Sequence, residues 1–205
     1  IHGRQLVTEL NGESCLPLKR RYQAPQSIAN TRTFGEDTND PNVLEAAMTS
    51  FIAKVTRQLR DSHQLTTKAG YFMATNRHRP GYIMKSELLS LPFPTADNGF
   101  LNQFIMGNVR RSFSYSQLYH RAGVWIQDFI PDKAFQASLF EPVKNDIIDA
   151  SEQRMQAIDT LNSRYGKHAI HYAAEDLAKS WQPKRKNQMP RYTTRWEELP
   201  IVKTL

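Results

Sequence analysis

Two long stripes of apolar residues at helical spacing stand out along this chain. Leu44, Met48, Phe51, Ile52, Val55 and Leu59 form a stripe down one side of a helix. Asn39-Asp40-Pro41 supplies its start, an Asx cap followed by a proline in the first turn. Lys54, Arg57 and Arg60 fall on the outer face, toward the negative end of the helix dipole. A second stripe, Leu101, Phe104, Ile105, Val109 and Phe113, begins behind Asp97-Asn98, and Arg110 and Arg111 leave on the other side.

Around these helices the period shortens to that of strands. Gln26 to Gly35 predicts a strand with Ile28, Asn30, Arg32 and Phe34 on one face and Ala29, Thr31 and Thr33 on the other. Leu65 to Thr75 and Tyr82 to Leu91 are two further strands, joined by the polar, basic turn Asn76 to Gly81; Pro92 and Pro94 are expected to end the second. Arg121 to Ile130 is the fourth. The order predicts an α+β fold: a four-stranded split βαβ (β-α-β-β-α-β) sandwich with two helices on one face, plus a small, mostly helical C-terminal region. The other sheet face is then open, a common platform for nucleic acid. The fold alone does not settle function.

Outside this unit, Arg4 to Leu10 reads as the end of a helix stopped by Asn11-Gly12. Cys15 to Pro25 reads as a linker carrying the cluster Lys19-Arg20-Arg21. Phe135 to Pro142 is a short apolar peptide. Gln136 followed by Leu139-Phe140 has the pattern of a hook for another protein's apolar pocket; the same residues could instead fold back on their own domain. Beyond it, Glu152 to Arg164 predicts a helix with Met155, Ile158 and Leu161 on one side and Gly166 as its stop. His168 to Tyr172 is expected as a short strand and Ala173 to Trp181 as another helical turn or two.

Composition narrows the classes. At 205 residues, with 40% hydrophobic and 23% charged residues, the chain is that of a globular protein rather than a disordered one. No apolar run approaches a membrane span and no signal peptide opens the sequence. A single cysteine, Cys15, excludes an internal disulfide and fits a reducing cytoplasm. The net charge of +7 favours a polyanionic partner.

Catalytic chemistry is missing. There is no glycine-rich phosphate loop, no GxSxG and no HExxH. With one Cys, and with His168 and His171 on opposite faces of the expected strand, no metal site is expected. The carboxylates do not suggest the convergence that two-metal phosphoryl transfer needs. The basic residues say more. Arg32, Lys68, Arg77, Arg79, Lys85 and Arg121, with Lys19-Arg20-Arg21, lie in or beside the predicted sheet, where they would pair with phosphates without reading sequence. The Thr31 and Thr33 hydroxyls would add contacts. A freestanding nucleic-acid-binding or protein-interaction module with a ferredoxin-like sheet is the alternative; Lys68-Ala69-Gly70-Tyr71-Phe72 fits an RNA-recognition signature poorly.

Five stretches, in order over nearly the whole chain, resemble one family: Leu6 to Cys15, Thr31 to Glu36, the hook Gln136 to Phe140, Asp159 to Asn162, and Pro190 to Trp196. They are similar to the C-terminal half of the UmuC family, the catalytic subunits of bacterial DNA polymerase V, in the Y family of translesion enzymes. The resemblance implies the end of a thumb helix over 1–18, a linker over 19–25, a little-finger DNA-binding domain over 26–132, a clamp-binding linker over 133–144 and a family-specific C-terminal region over 145–205. It implies template–primer DNA as partner, gripped through Thr31, Arg32, Thr33, Lys68, Lys85 and Arg121. It implies the β sliding clamp as a second partner, bound through Gln136, Leu139 and Phe140; Ala137 stands where the family often has Leu, which weakens the hook. The C-terminal region would contact a UmuD′ dimer or RecA. Mg²⁺ would belong to a palm domain outside these residues, so this chain is expected to hold no cofactor and to polymerise nothing. The implied setting is the SOS response in the bacterial cytoplasm, at the nucleoid.

Overall fold

The computed structural model describes residues 2–15, 25–132, 145–175, 181–183 and 189–200. Its elements are α1 (His2–Leu10), β1 (Ser27–Thr38), α2 (Pro41–Asp61), β2 (Gln64–Thr75), β3 (Met84–Thr95), α3 (Asn98–Ser112), β4 (Tyr119–Pro131) and α4 (Asn145–Tyr165), followed by a 3₁₀ turn at Trp196–Glu198. The strands form one antiparallel sheet in the order β1-β4-β2-β3. Each βαβ crossover therefore skips a strand: β1 and β2 enclose β4, and β3 and β4 enclose β2. The expected sandwich is present, with α2 and α3 packed on one face.

The helix starts are as the sequence implies. Asp40 caps α2 by accepting from the Asn42 amide at 2.8 Å, and Asp97 caps α3 by accepting from the Phe100 amide at 2.9 Å. All six residues of the α2 stripe are buried, and they meet Ile28 and Phe34 of β1, Ala69, Tyr71 and Met73 of β2, and Ala122, Val124 and Ile126 of β4. The β1 alternation is right: Ile28 and Phe34 face the helices, and Ala29, Thr31 and Thr33 face away.

Several expectations fail for identifiable reasons. Pro92 and Pro94 do not end β3, which continues to Thr95 and pairs there with Thr66 after a register shift. β3 is an edge strand, so an amide it lacks on the outer side needs no partner. His168 to Tyr172 is not a strand; the segment is a turn, entered through Gly166 at φ +105° and His168 at φ +73°. Leu161 is exposed, and Asn162 takes the buried position beside Met155. The Asn162 side chain is used there: Nδ2 donates to the Ile170 carbonyl and Oδ1 accepts from the Ile170 amide, both at 2.9 Å. It pins the 166–175 turn as a backbone ladder would.

Among the described residues, the C-terminal region packs on the helix layer and none is laid over the open sheet face. Arg60, expected on an exposed face, is instead covered by α4 and bound to Asp159. Ser151 and Arg154 reach the Asp97 carboxylate. Trp181 is buried edge-on against Phe51 at 5.1 Å between ring centroids, and its carbonyl accepts from the Gly35 amide at 3.2 Å. The hook residues Gln136, Leu139 and Phe140 and the cluster Lys19-Arg20-Arg21 lie outside the described residues.

Candidate nucleic-acid interface

The face of the sheet away from the helices can be read rung by rung from the strand register. One rung carries Ala29, Trp125, Gly70 and Leu88 across β1, β4, β2 and β3; the next carries Thr31, Gly123, Phe72 and Ser86; the next carries Thr33, Arg121, Ala74 and Met84. Thr31, Thr33 and Arg121 thus fall together by pairing geometry, although 90 residues separate Thr31 from Arg121. The Arg121 Nη2 donates to the Thr31 hydroxyl at 3.2 Å, and its guanidinium stands 5.5 Å from the centre of the Phe72 ring. Both contacts hold a cation upright on an open surface.

Arg32 is out of phase with the two threonines and leaves the other side of β1. Because β1 is the edge strand, Arg32 remains exposed, and its Nη1 donates to the Thr31 carbonyl at 3.3 Å. A cleft of about 570 Å³ wraps this edge, lined by Thr31, Arg32, Thr33, Arg121, Lys54 and the Trp181 segment. Four of the six DNA-contact residues expected from sequence therefore converge on one edge.

The other two go elsewhere. Lys68 lies on the open face, one rung from Trp125, but its Nζ is 2.6 Å from the Asp128 carboxylate, which offsets its charge. Asp128 reaches it from a left-handed backbone position, φ +57°, inside β4. Lys85 points to the helix side and donates to the Ser112 carbonyl at 2.6 Å, at the C-terminal end of α3. It completes a helix end and is not part of the open face. In the neighbouring turn, Arg79 is 3.2 Å from Asp37, whose other oxygen is 2.5 Å from His120 Nδ1.

Sequence reasoning passed over two aromatic residues. A β-carbon placed on Gly70 would fall 2.3 Å from two ring carbons of Trp125, and one placed on Gly123 would fall 2.6 Å from Phe72. The indole from β4 therefore lies over the β2 glycine, and the phenyl ring from β2 lies over the β4 glycine. Glycine inside a strand is the signal that could have been used, since it often marks a close approach.

No group of three or more His, Cys, Asp or Glu side chains that could hold a metal occurs among the described residues. No helix among them is long and apolar enough to cross a membrane.

With this surface in place, the relatives can be set beside it. The impB/mucB/samB family C-terminal domain matches residues 25–139, and a domain of unknown function, DUF4113, matches residues 152–202. This chain belongs to the impB/mucB/samB family. It corresponds to the C-terminal part of these UmuC-type proteins. It is 31% identical over 199 residues to the protein UmuC of Salmonella typhimurium, covering 96% of this chain and 47% of the relative. Against ImpB of the same organism it is 30% identical over 203 residues, covering 96% and 46%. Against MucB of Escherichia coli it is 28% identical over 198 residues, again covering 96% and 46%. The chain thus spans about half the length of these curated relatives. A solved complex of the beta-clamp processivity factor and the little finger domain of PolIV overlaps 56% of this chain and 99% of that one, at 12% identity and a TM-score of 0.39. An insertion ternary complex of Dbh DNA polymerase overlaps 63% and 36%, at 11% identity and a TM-score of 0.40. At those values neither superposition adds to the assignment.

Proposed function

We propose that this chain is the DNA-gripping and clamp-tethering half of an error-prone translesion polymerase acting in DNA-damage tolerance and the SOS response. The observation that carries the grip is the convergence of Thr31, Arg32, Thr33 and Arg121 at one open edge of a sheet in a family of Y-family polymerases. Cations and hydroxyls on a strand edge contact phosphate without reading bases, so the grip tolerates distorted template. Lys68 contributes weakly while Asp128 holds it, and Lys85 is left out of the set.

Gln136, Leu139 and Phe140 form the tether to the β sliding clamp, and α4 with the residues that follow meets a UmuD′ dimer or RecA. The region boundaries are those implied by the resemblance: thumb end 1–18, linker 19–25, little finger 26–132, clamp-binding linker 133–144 and C-terminal region 145–205. Polymerisation and its Mg²⁺ belong to a palm outside these residues, and the site of action is the bacterial nucleoid.

The purified chain is expected to bind primer–template DNA at low salt and to lose it steeply as salt rises; affinity unchanged by salt overturns the phosphate grip. Clamp binding of about micromolar Kd, abolished in a Gln136/Leu139/Phe140→Ala variant, is expected for the tether. Equal clamp binding by both proteins overturns that part. Nucleotide incorporation by the chain alone would contradict its assignment as non-catalytic.

A further inference from the structure

We propose that Trp125 and Phe72 form a stacking platform for unpaired bases of single-stranded DNA, with Arg121 placed for the strand's phosphates. The inference deepens the DNA-grip reading and rests on it.

Three observations lead there. First, the aromatics occupy the two central strands, Trp125 on β4 and Phe72 on β2, and both point to the face that no helix covers. Second, each sits over a glycine of the facing strand, at positions where any β-carbon would collide with the ring. Rings over cross-strand glycines also shield backbone, and this accounts for their inner sides. It does not account for the outer sides: both residues are partly exposed, with no helix or loop laid over them among the described residues and only the Arg121 guanidinium over the Phe72 ring. Third, the surroundings carry the charge that a nucleic-acid strand requires. Arg121 stands at Phe72, and Lys68, its charge largely offset by Asp128, is one rung from Trp125 on the opposite side.

The single-stranded occupant follows from the chemistry of the rings. A phosphate gains nothing from an exposed indole face, and in a duplex the base faces are already stacked on one another. Only an unpaired base offers a π-face, and every base has one, so the platform discriminates paired from unpaired rather than one sequence from another. Leu88, 47% exposed and on the Trp125 rung, lengthens the apolar strip across β3.

The test compares the wild-type chain on two fluorescent 20-mers, oligo-dT and the same backbone built entirely of abasic nucleotides, at one salt concentration. Stacking predicts at least about tenfold tighter binding of oligo-dT. It also predicts quenching of tryptophan emission by oligo-dT that disappears in Trp125→Leu, and a similar loss of preference in Phe72→Leu. The two-strand comparison needs no variant, so a misfolded mutant does not cloud it. Equal affinity for the two strands without quenching overturns the platform and leaves the phosphate grip standing. Failure to bind either strand, or primed duplex, overturns both.

Discussion

Arg60 meets Asp159 side-on: Nε lies 2.6 Å from one carboxylate oxygen and Nη2 lies 2.9 Å from the other, while Nη1 donates to the Ala96 carbonyl at 2.8 Å. One guanidinium thus ties together α2, the end of β3 and α4. Both side chains are mostly covered, 16% and 24% exposed, so the pair is less screened than a surface bridge. Asp159→Ala leaves two donors of Arg60 without their partner, and a loss of about 1–3 kcal/mol is expected. Denaturant unfolding of Asp159→Ala, Arg60→Ala and the double variant checks it. The double variant should cost clearly less than the two singles added together.

Asp97 gives the same interface a pH dependence. Burial pushes its carboxyl up, but hydrogen bonds from Ser151 and the Phe100 amide, together with the Arg154 charge, outweigh burial and hold it below the ordinary value of 3.8. A group depressed in the folded state contributes stability that is present above its unfolded pKa and lost as pH falls through the folded one. Wild type should therefore exceed Asp97→Asn in stability at neutral pH, on the order of 1 kcal/mol. The gap should close below about pH 4. Thermal melts of both proteins from pH 7 to pH 2.5 measure it, and a gap independent of pH would refute the ionised-cap account.

Gly70→Ala should strain the sheet by forcing Trp125 off β2. Overpacking of this kind costs about 1–3 kcal/mol. The same substitution in a Trp125→Ala background should cost much less, because the colliding ring is gone. Gly123→Ala should be rescued only in part by Phe72→Ala, because Thr31 Cγ2, 2.5 Å from the added β-carbon, remains in its way. Melting temperatures of the two pairs decide the matter.

Asp128→Asn removes the carboxylate beside Lys68 while keeping a residue type that tolerates the left-handed backbone. Affinity for primed DNA should rise, and the salt slope should steepen by about one phosphate contact. An unchanged slope would place Lys68 away from the DNA.

Element types were legible because Asp40, Asp97 and the α2 stripe each state locally what the fold needs. What pairing decides was not legible. Strand order put Arg121 beside Thr31, and the edge position of β3 made Pro92 and Pro94 tolerable. The cations of the candidate interface were read from charge, which cannot separate Arg121, held on the open face, from Lys85, spent on a helix end, or Lys68, held by Asp128. The glycine–aromatic exchange between β2 and β4 was written in Gly70, Phe72, Gly123 and Trp125, but only the register shows that each ring crosses to the other strand's glycine. Asn162 was hidden for a different reason: a polar residue facing the core reads as surface until its hydrogen-bond partner is known.

In the proposed function the β1 edge and open sheet face, not the charge of the chain at large, hold the DNA. Affinity for a fluorescent primer–template should be measured by anisotropy for Arg32→Glu, Arg121→Glu and Arg111→Glu, three equal charge changes. Arg111 is exposed on α3, on the opposite layer. The account predicts about tenfold weaker binding for the first two and a change within about twofold for the third. Equal weakening by all three would contradict it and reduce the interaction to net charge.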